Sequence, residues 1–397
     1  MKKYSKILSV PFGIIIFMCL GSVYSWSIFK KPVEEALNLT STESGLPYVV
    51  FLIFYALGMP LSGNFIKKIG PRAITIIGGI FVSLGWFLAG FVNNIVLLVL
   101  TYGVMGGIGV GIVYGAPMAV VGEWFPKKRG LAVGLTLGGF GLSPFVTAPL
   151  SRRLIETYGV NSTFKIMGIA FFIIIIALSI PLSFPESIKN NNNKYQKGLE
   201  NAVTLKEVLR NKRFYFLWMT FALGTFTGLM VIGISSPVAE EVIKLSPDYG
   251  ALAVSIFAIF NGLGRPVFGV LTDKFYSKIS GTISYILIII ASIMMLNAKE
   301  GMVGLYMISF CIFWFVLGGW LAIAPTAVSN IFGAENYARN YGFLFTAYGV
   351  GAIGGGIVSG KIKDIFNSYH YVFIPTLIAG VIGLILIQFV RKKRKIN

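Results

Sequence analysis

Histidine, cysteine and charge are scarce in this sequence of 397 residues. It contains one histidine, His370, and two cysteines, Cys19 and Cys311, which both lie in apolar runs. This scarcity excludes a disulfide framework, a histidine-based metal site and a catalytic triad centred on histidine. Charged residues make up 12% of the chain, about half of the roughly 25% typical of soluble domains. Since no cluster of nucleophile, base and metal ligands is visible, we expect no enzyme, no cofactor and no bound metal.

Apolar segments dominate instead. Hydrophobic residues make up 55% of the chain, and runs of about 20 residues, enough for a helix to cross ~30 Å of hydrocarbon, recur throughout. These runs predict an all-α membrane protein with twelve transmembrane helices, near 7–29, 45–66, 73–92, 95–121, 130–150, 163–182, 214–235, 250–272, 280–296, 302–328, 341–360 and 371–390. The first run is too long for a signal peptide and lacks a small-residue cleavage site, so we expect it to persist as a span.

One long polar stretch, residues 183–213, interrupts the apolar runs. It contains four consecutive asparagines, which indicate a flexible linker, followed by TLKEVL. Thr204 and Glu207 have the spacing of a capping box, so we expect a short amphipathic helix there, on the cytoplasmic membrane surface.

Positive charge is distributed unevenly between the two sides of the predicted topology. Most of the 34 lysines and arginines, which give a net charge of +19, lie in the termini, the linker and the loops on the same side. By the positive-inside rule both termini are cytoplasmic. The charge then faces anionic lipid, and we expect no nucleic-acid partner. We predict a multi-pass protein of a bacterial inner (plasma) membrane, because the composition is rich in lysine, asparagine and isoleucine.

Two pairs of loop segments repeat along the chain. GNFIKKIGPR at 63–72 resembles GVLTDKFYSK at 269–278, and a second pair is centred on Phe125 and Phe332. Both pairs are separated by about 206 residues, which indicates duplication of a six-helix unit. We predict two pseudo-symmetric bundles, residues 1–182 and 214–397. Carriers of this design bind their substrate between the bundles, near mid-membrane.

These loops resemble the signature of the major facilitator superfamily, G-x-x-x-D-[RK]-x-G-[RK]-[RK]. The first copy has Lys67 where the signature has its acid, whereas the second copy keeps the acid. The resemblance implies a gating role for the residues that match: Gly63, Lys68, Gly70, Arg72, Gly269, Asp273 and Lys274. Glu123, at the cytoplasmic end of helix 4, is a further gate candidate because it can contact the opposing half there.

Three stretches, GSVYSWSIFKKPV, EWFPKKRGLAVGLTLGGFG and NGLGRPVFG, resemble the oxalate/formate antiporter and monocarboxylate transporter branch. The third contains Arg265, eight residues before Asp273 and therefore about 12 Å from the end of its helix. An unpaired arginine at this depth costs at least ~2.5 kcal/mol. No acidic residue is predicted within a span except Glu123, which borders the cytoplasmic end of helix 4. Because its planar fork suits a carboxylate, we expect Arg265 to bind the substrate anion. The alternative is a structural arginine bonded to backbone carbonyls.

Further candidate residues surround this arginine in the prediction. Asn261 shares its helix face and is placed to orient the guanidinium or to bond a substrate hydroxyl. The animal monocarboxylate transporters carry an acid there, so their acid-based proton step is not implied. At Tyr348 the oxalate exchangers of the branch carry a lysine, so one intramembrane cation remains here, which suits a monoanion. Tyr24 and Tyr114 offer hydroxyls to a carboxylate. For each tyrosine, simple packing between helices is the alternative.

Glycines at four-residue spacing predict close helix packing in three places. They are Gly103, Gly107, Gly111 and Gly115, then Gly130, Gly134 and Gly138, then Gly351 and Gly355.

We therefore predict a secondary active transporter of a small organic monocarboxylate of the lactate or pyruvate type. It works as a monomer by alternating access and is either proton-coupled or anion-exchanging. The rivals are an oxalate/formate-type dicarboxylate exchanger, an efflux carrier for hydrophobic compounds and a membrane sensor without flux. A lone arginine suits neither a dicarboxylate nor lipophilic cations, and the linker leaves little room for an output module.

Overall fold

The computed structural model describes residues 2–126, 129–185, 204–333 and 337–390, with side chains except at 2–5, 60–65, 67–68, 129–131 and 337–338. Within these residues, ten segments are long and apolar enough to cross a membrane. Two of them, Ala132–Ser179 and Pro247–Leu296, hold 48 and 50 residues, about twice the length of one span. Each is divided by a non-helical residue, Gly159 or Tyr276. The described residues therefore form twelve spanning helices, as predicted.

We number the spanning helices α1 to α12 in chain order. The N-terminal half consists of α1 (Lys2–Leu20, a 3-10 turn Gly21–Ser25 and Trp26–Leu37), α2 and α3 (Ser41–Ala89, meeting at Gly70), α4 (Ile95–Trp124), and α5 and α6 (Arg129–Ser179, meeting at Gly159). The C-terminal half consists of α7 (Lys212–Gly233), α8 and α9 (Pro247–Leu296, meeting at Tyr276), α10 (Val303–Phe332), α11 (Tyr337–Phe366) and α12 (His370–Phe389).

Side-chain caps set several helix starts. The Thr40 hydroxyl and the Glu43 carboxylate form a capping box at the start of α2. The predicted box of Thr204 and Glu207 is present and begins a linker helix, Leu205–Arg210. Hydrogen bonds from the Thr204 backbone and hydroxyl lower the pKa of the Glu207 carboxyl. These bonds satisfy backbone N–H groups that have no partner within the helix, so the sequence alone fixes where the helix begins.

The predicted repeat is visible in the backbone. Helix ends and breaks with positive φ recur at separations of about 206 to 208 residues in three pairs, as expected for a duplicated unit: Asn38 with Lys244, Gly70 with Tyr276, and Gly159 with Asn367. Gly70 (φ 85°, ψ 161°) and Tyr276 (φ 65°, ψ 162°) share nearly the same conformation. The two halves thus turn from their second to their third helix in the same way.

Two helix ends differ most from the prediction. α1 extends to Leu37, eight residues past the predicted end, because KKPVEEAL remains helical despite its charges. The prediction of a polar gap at 151–162, between α5 and α6, is also wrong. The helix continues to Tyr158 and breaks only at Gly159. Charged residues that pair with each other allow a helix to extend past its apolar run.

Glycine packing agrees with the sequence in two of three places. Added Cβ atoms at Gly107 and Gly111 would lie within 3 Å of α2 backbone atoms, and one at Gly351 would lie 2.2 Å from the Thr225 hydroxyl. On α5, however, a Cβ at Gly134 or Gly138 would meet nothing within 4 Å among the described residues. No described residue packs closely against these two glycines, so the prediction of close packing there was wrong.

Candidate functional site

Arg265 lies on the face of α8 that contacts α5 of the other half. The close approach of α8 to α10 at Gly264, where a Cβ would lie 2.1 Å from the Phe315 carbonyl oxygen, fixes the orientation of this face. The Arg265 side chain is 4% exposed. Its Nη1 donates to the Leu137 carbonyl at 2.5 Å, across the two halves. Its Nε and Nη2 have no hydrogen-bond partner among the described residues.

The contact with Leu137 is the backbone bond expected of a structural arginine, but it uses only part of the guanidinium. Two buried N–H-bearing atoms are left over, and a buried polar group without a partner costs about 1 to 3 kcal/mol, more when it is charged. An arginine presents parallel donors that match the two oxygens of a carboxylate. The geometry therefore leaves Arg265 able to accept an anion in bidentate fashion.

Phe140 contacts Arg265 and two of the predicted tyrosines, Tyr24 and Tyr114. The guanidinium carbon lies 5.8 Å from the centre of the Phe140 ring, a cation–π distance. The Tyr24 ring packs edge-on against the same phenylalanine at 5.2 Å, and the Tyr114 ring does so at 5.8 Å. Phe140 reaches this position because a glycine on α1, Gly21, allows α1 and α5 to approach closely: a Cβ there would lie 2.2 Å from the Phe140 carbonyl oxygen.

Tyr24 and Tyr348 join the two halves. Their hydroxyl oxygens are 2.9 Å apart, and both side chains are fully buried. Tyr348 stacks on Phe345 at 4.8 Å. Three residues predicted from separate helices, Arg265, Tyr24 and Tyr348, are therefore brought to one place between the halves.

Tyr55 on α2 belongs to the same cluster and was missed in the sequence. Its ring lies 5.2 Å from Tyr114, 5.6 Å from Tyr348 and 5.8 Å from Phe140. A signal for it existed, since Tyr55 precedes Asn261 by about 206 residues, the separation of the internal repeat. The two residues occupy equivalent positions in α2 and α8.

Asn261 forms a hydrogen bond between α8 and α10. Its Nδ2 donates to the Trp314 carbonyl at 2.9 Å, so the amide is committed to α10 and does not orient the guanidinium. Its Oδ1 has no partner among the described residues and faces α5, where a Cβ at Gly141 would lie 2.5 Å away. Trp314 in turn donates to the Ser235 hydroxyl at 3.1 Å. This chain of bonds joins α8 and α10 to the short helix Ser235–Glu241, which follows α7.

Lys30 is a second buried cation that the sequence prediction placed outside the membrane. It lies in the candidate span Lys6–Leu37, where its side chain is 3% exposed and pairs with Glu34 at 3.3 Å. Lys30 lies near the end of α1, beside the first residue of α2, Ser41, so the expectation that Arg265 is the one cation deep within the spans stays a prediction. Lys30 is already hydrogen-bonded, whereas Arg265 retains free donors among the described residues.

The predicted gate residues lie at the end of the bundle that carries the linker helix, which we call the linker face. Gly70 forms the turn between α2 and α3, and Gly269 lies in α8, where a Cβ would meet only Ala322, at 3.9 Å. Arg72, Asp273 and Lys274 are exposed, and Glu123 is half-buried and has an interaction partner. The side-chain environments of Gly63 and Lys68 lie outside the described residues.

Among the described residues, no group of three or more histidine, cysteine, aspartate and glutamate side chains is arranged to hold a metal ion.

The chain belongs to the Major Facilitator Superfamily, whose profile matches residues 12–355 and 223–397. The oxalate:formate antiporter of Oxalobacter formigenes is 31% identical over 95% of this chain and 89% of its own length. Monocarboxylate transporter 2 of Mus musculus is 23% identical over 96% and 85%. The crystal structure of a mutant of the nucleoside transporter NupG superposes with a TM-score of 0.76 at 15% identity, covering 97% of this chain and 100% of that one.

These similarities confirm the branch suggested by the three motif stretches. The protein is a non-enzymatic, multi-pass membrane transporter with the twelve-helix fold of this superfamily.

Proposed function

We propose that the protein carries small organic monocarboxylates of the lactate or pyruvate type across a bacterial plasma membrane by alternating access, as a monomer. The observation that carries this proposal is the Arg265 guanidinium, 4% exposed, with two nitrogens that lack partners among the described residues. It lies between the halves, where carriers of this design bind substrate. Charge and shape both match a carboxylate.

The tyrosines around Arg265 would supply neutral hydrogen bonds. The hydroxyls of Tyr24 and Tyr348 bond to each other at 2.9 Å. A substrate oxygen that accepts a hydrogen bond from one of them would replace this bond, so that hydroxyl would keep a partner. The aromatic rings of Tyr55, Tyr114 and Phe140 surround the carbon skeleton with apolar surface. This combination favours a small anion with one carboxylate.

The positive-inside argument would place both termini and the linker face in the cytoplasm, with the halves divided by the linker at 183–213. Among the described residues, α5 and α8 approach closely at Gly141 and Asn261, whereas a Cβ added at Gly134 or Gly138 would meet nothing within 4 Å. Electroneutral transport requires a co-transported proton or exchange for another anion, and both remain part of the proposal.

Oxalate/formate exchange is the second candidate, and the 31% identity to an oxalate:formate antiporter favours it. Against it stands Tyr348, where the resemblance implies a lysine in oxalate exchangers. With tyrosine at this position, a dicarboxylate would meet one available cation at the site, Arg265, among the described residues.

Uptake of labelled L-lactate into proteoliposomes tests the proposal. The purified full chain is challenged with excess pyruvate, formate or oxalate, with and without an imposed pH gradient. We expect pyruvate and unlabelled lactate to compete and oxalate to compete weakly. Strong competition by oxalate, or uptake of oxalate in exchange for internal formate, would favour the second candidate. Absence of uptake for all four anions would refute both.

A further inference from the structure

The end of the bundle opposite the linker face, which we call the distal face, carries the α1–α2, α7–α8 and α11–α12 turns at 38–40, 242–246 and 367–369. We propose that a carboxylate on α11, Asp364, and a phenol after it, Tyr369, latch this face shut by capping α2 of the other half. The inference rests on alternating access and does not depend on the identity of the substrate.

Asp364 acts as a helix cap supplied by the opposite half. Its Oδ1 accepts the backbone N–H of Ser41 at 2.9 Å, and its Oδ2 accepts that of Thr42 at 3.0 Å and the Thr42 hydroxyl. Ser41 and Thr42 are the first two residues of α2, whose N–H groups have no partner within the helix. The positive end of the helix dipole adds to the attraction for a carboxylate. When the halves separate at this face, these bonds must break together.

Tyr369 forms the buried part of the latch. Its hydroxyl accepts from Lys30 Nζ at 2.8 Å and lies 2.5 Å from the Ser41 hydroxyl. Lys30 also contacts Glu34 and the Ser41 carbonyl, both within the N-terminal half. Lys30 therefore keeps partners when the halves part, whereas Tyr369 loses both of its bonds to the N-terminal half. The burial of Tyr369, 1% exposed, shields these bonds from water.

Tight backbone packing brings α11 to α2 along this contact. A Cβ at Gly360 would lie 2.5 Å from the Thr42 Cα, and one at Gly356 would lie 2.0 Å from a Val49 methyl group. Two ion pairs, Lys31 with Glu240 at 3.4 Å and Arg152 with Asp248 at 3.0 Å, also cross between the halves. Each includes an exposed partner, and such pairs contribute only about 0 to 1 kcal/mol. Asp364 is also exposed, so the buried contacts of Tyr369 with Lys30 and Ser41 are the main polar latch, and the capping bonds add to them.

The chain offers a matched control for Asp364. Glu43 also caps the N-terminus of α2, but through Thr40 of its own half. Asp364→Asn and Glu43→Gln each remove one carboxylate charge from the same helix end. Only the first substitution weakens a contact between the halves. An effect on general helix stability would be common to both variants.

The experiment measures the separation of the distal ends directly. Spin labels are attached to cysteines introduced at Glu35 on α1 and Lys299 between α9 and α10, both exposed, after Cys19 and Cys311 are replaced by alanine. Distance distributions are recorded by double electron–electron resonance on the full chain in lipid nanodiscs, without substrate. In the wild type we expect the short-distance population, with the distal face closed, to dominate.

Asp364→Asn should raise the ratio of open to closed molecules about twofold to fivefold, the range for losing about 0.3 to 1 kcal/mol at an exposed helix end. Tyr369→Phe should shift the ratio in the same direction, and it remains a test if Asp364→Asn fails to fold. Glu43→Gln should leave the distribution unchanged. Distributions of Asp364→Asn and Tyr369→Phe that superimpose on those of the wild type would overturn the latch. Because no substrate is present, this result is independent of the transport assay.

Discussion

Tyr348 is the residue at which we expect the mono- or dicarboxylate preference to be set. Its hydroxyl lies 2.9 Å from that of Tyr24, and its ring stacks on Phe345 beside the Arg265 site. Tyr348→Lys would put a second cation where the resemblance implies one in oxalate exchangers. One added charge-assisted hydrogen bond is worth about 1.5 to 3 kcal/mol. The oxalate-to-lactate affinity ratio should therefore rise roughly 10- to 150-fold.

The inhibition constants of oxalate and L-lactate, measured against labelled L-lactate in proteoliposomes, give this ratio. Tyr348→Phe and Tyr24→Phe serve as controls, because each breaks the same hydroxyl–hydroxyl bond without adding charge. Both should weaken lactate binding about twofold to tenfold, since a neutral hydrogen bond contributes about 0.5 to 1.5 kcal/mol, and neither should favour oxalate. An unchanged oxalate-to-lactate ratio in an active Tyr348→Lys carrier would refute the reasoning.

Two further substitutions test the backbone repeat and the site. Tyr276 holds a conformation (φ 65°, ψ 162°) that glycine adopts more easily, so Tyr276→Gly should raise the free energy of unfolding by about 1 to 3 kcal/mol. Thermal denaturation in detergent measures this, with Gly70→Tyr as the opposite exchange, and a lower melting temperature for Tyr276→Gly would contradict it. Asn261→Asp places an acid one helical turn before Arg265, where its ionised form competes with the substrate. Lactate uptake by this variant should increase as the pH falls, relative to the wild type, and an identical pH profile would count against the guanidinium as the substrate's partner.

Much of the fold follows from the sequence, because a bilayer leaves few choices. Apolar runs of sufficient length must become spanning helices that satisfy their own backbone. The capping box of Thr204 and Glu207 likewise fixes the start of the linker helix. The same argument failed at the end of α1. The hydrophobic pattern ends before Lys30, but Tyr369, far along the chain, covers this lysine and keeps it buried. A contact between residues so far apart in the chain depends on how the two halves pack, so the local sequence pattern does not predict it.

Sequence analysis could predict a site residue whose charge is unfavourable inside a membrane. It could not predict site residues of types that are common throughout the chain. Arg265 stands out because charge in a membrane needs a reason. Tyr55 and Phe140 are common residues in an aromatic-rich chain with 18 tyrosines and 33 phenylalanines, and only helix packing reveals that they border Arg265. Asp364 is similar, since its segment GKIKDIF resembles an ordinary solvated helix end. Its bonds to Ser41 and Thr42 depend on how the two halves meet.

The role of Arg265 as the substrate's counter-ion is tested most directly by saturable uptake of labelled L-lactate into proteoliposomes. Wild type, Arg265→Lys and Arg265→Ala are compared, with Arg153→Ala as a control at an exposed arginine on α5. Lysine keeps the charge but loses the bidentate fork, so its affinity should fall about 10- to 150-fold. Alanine should abolish saturable uptake, and Arg153→Ala should behave as the wild type. Undiminished uptake by Arg265→Ala would contradict the account and leave this arginine as a structural bond to Leu137.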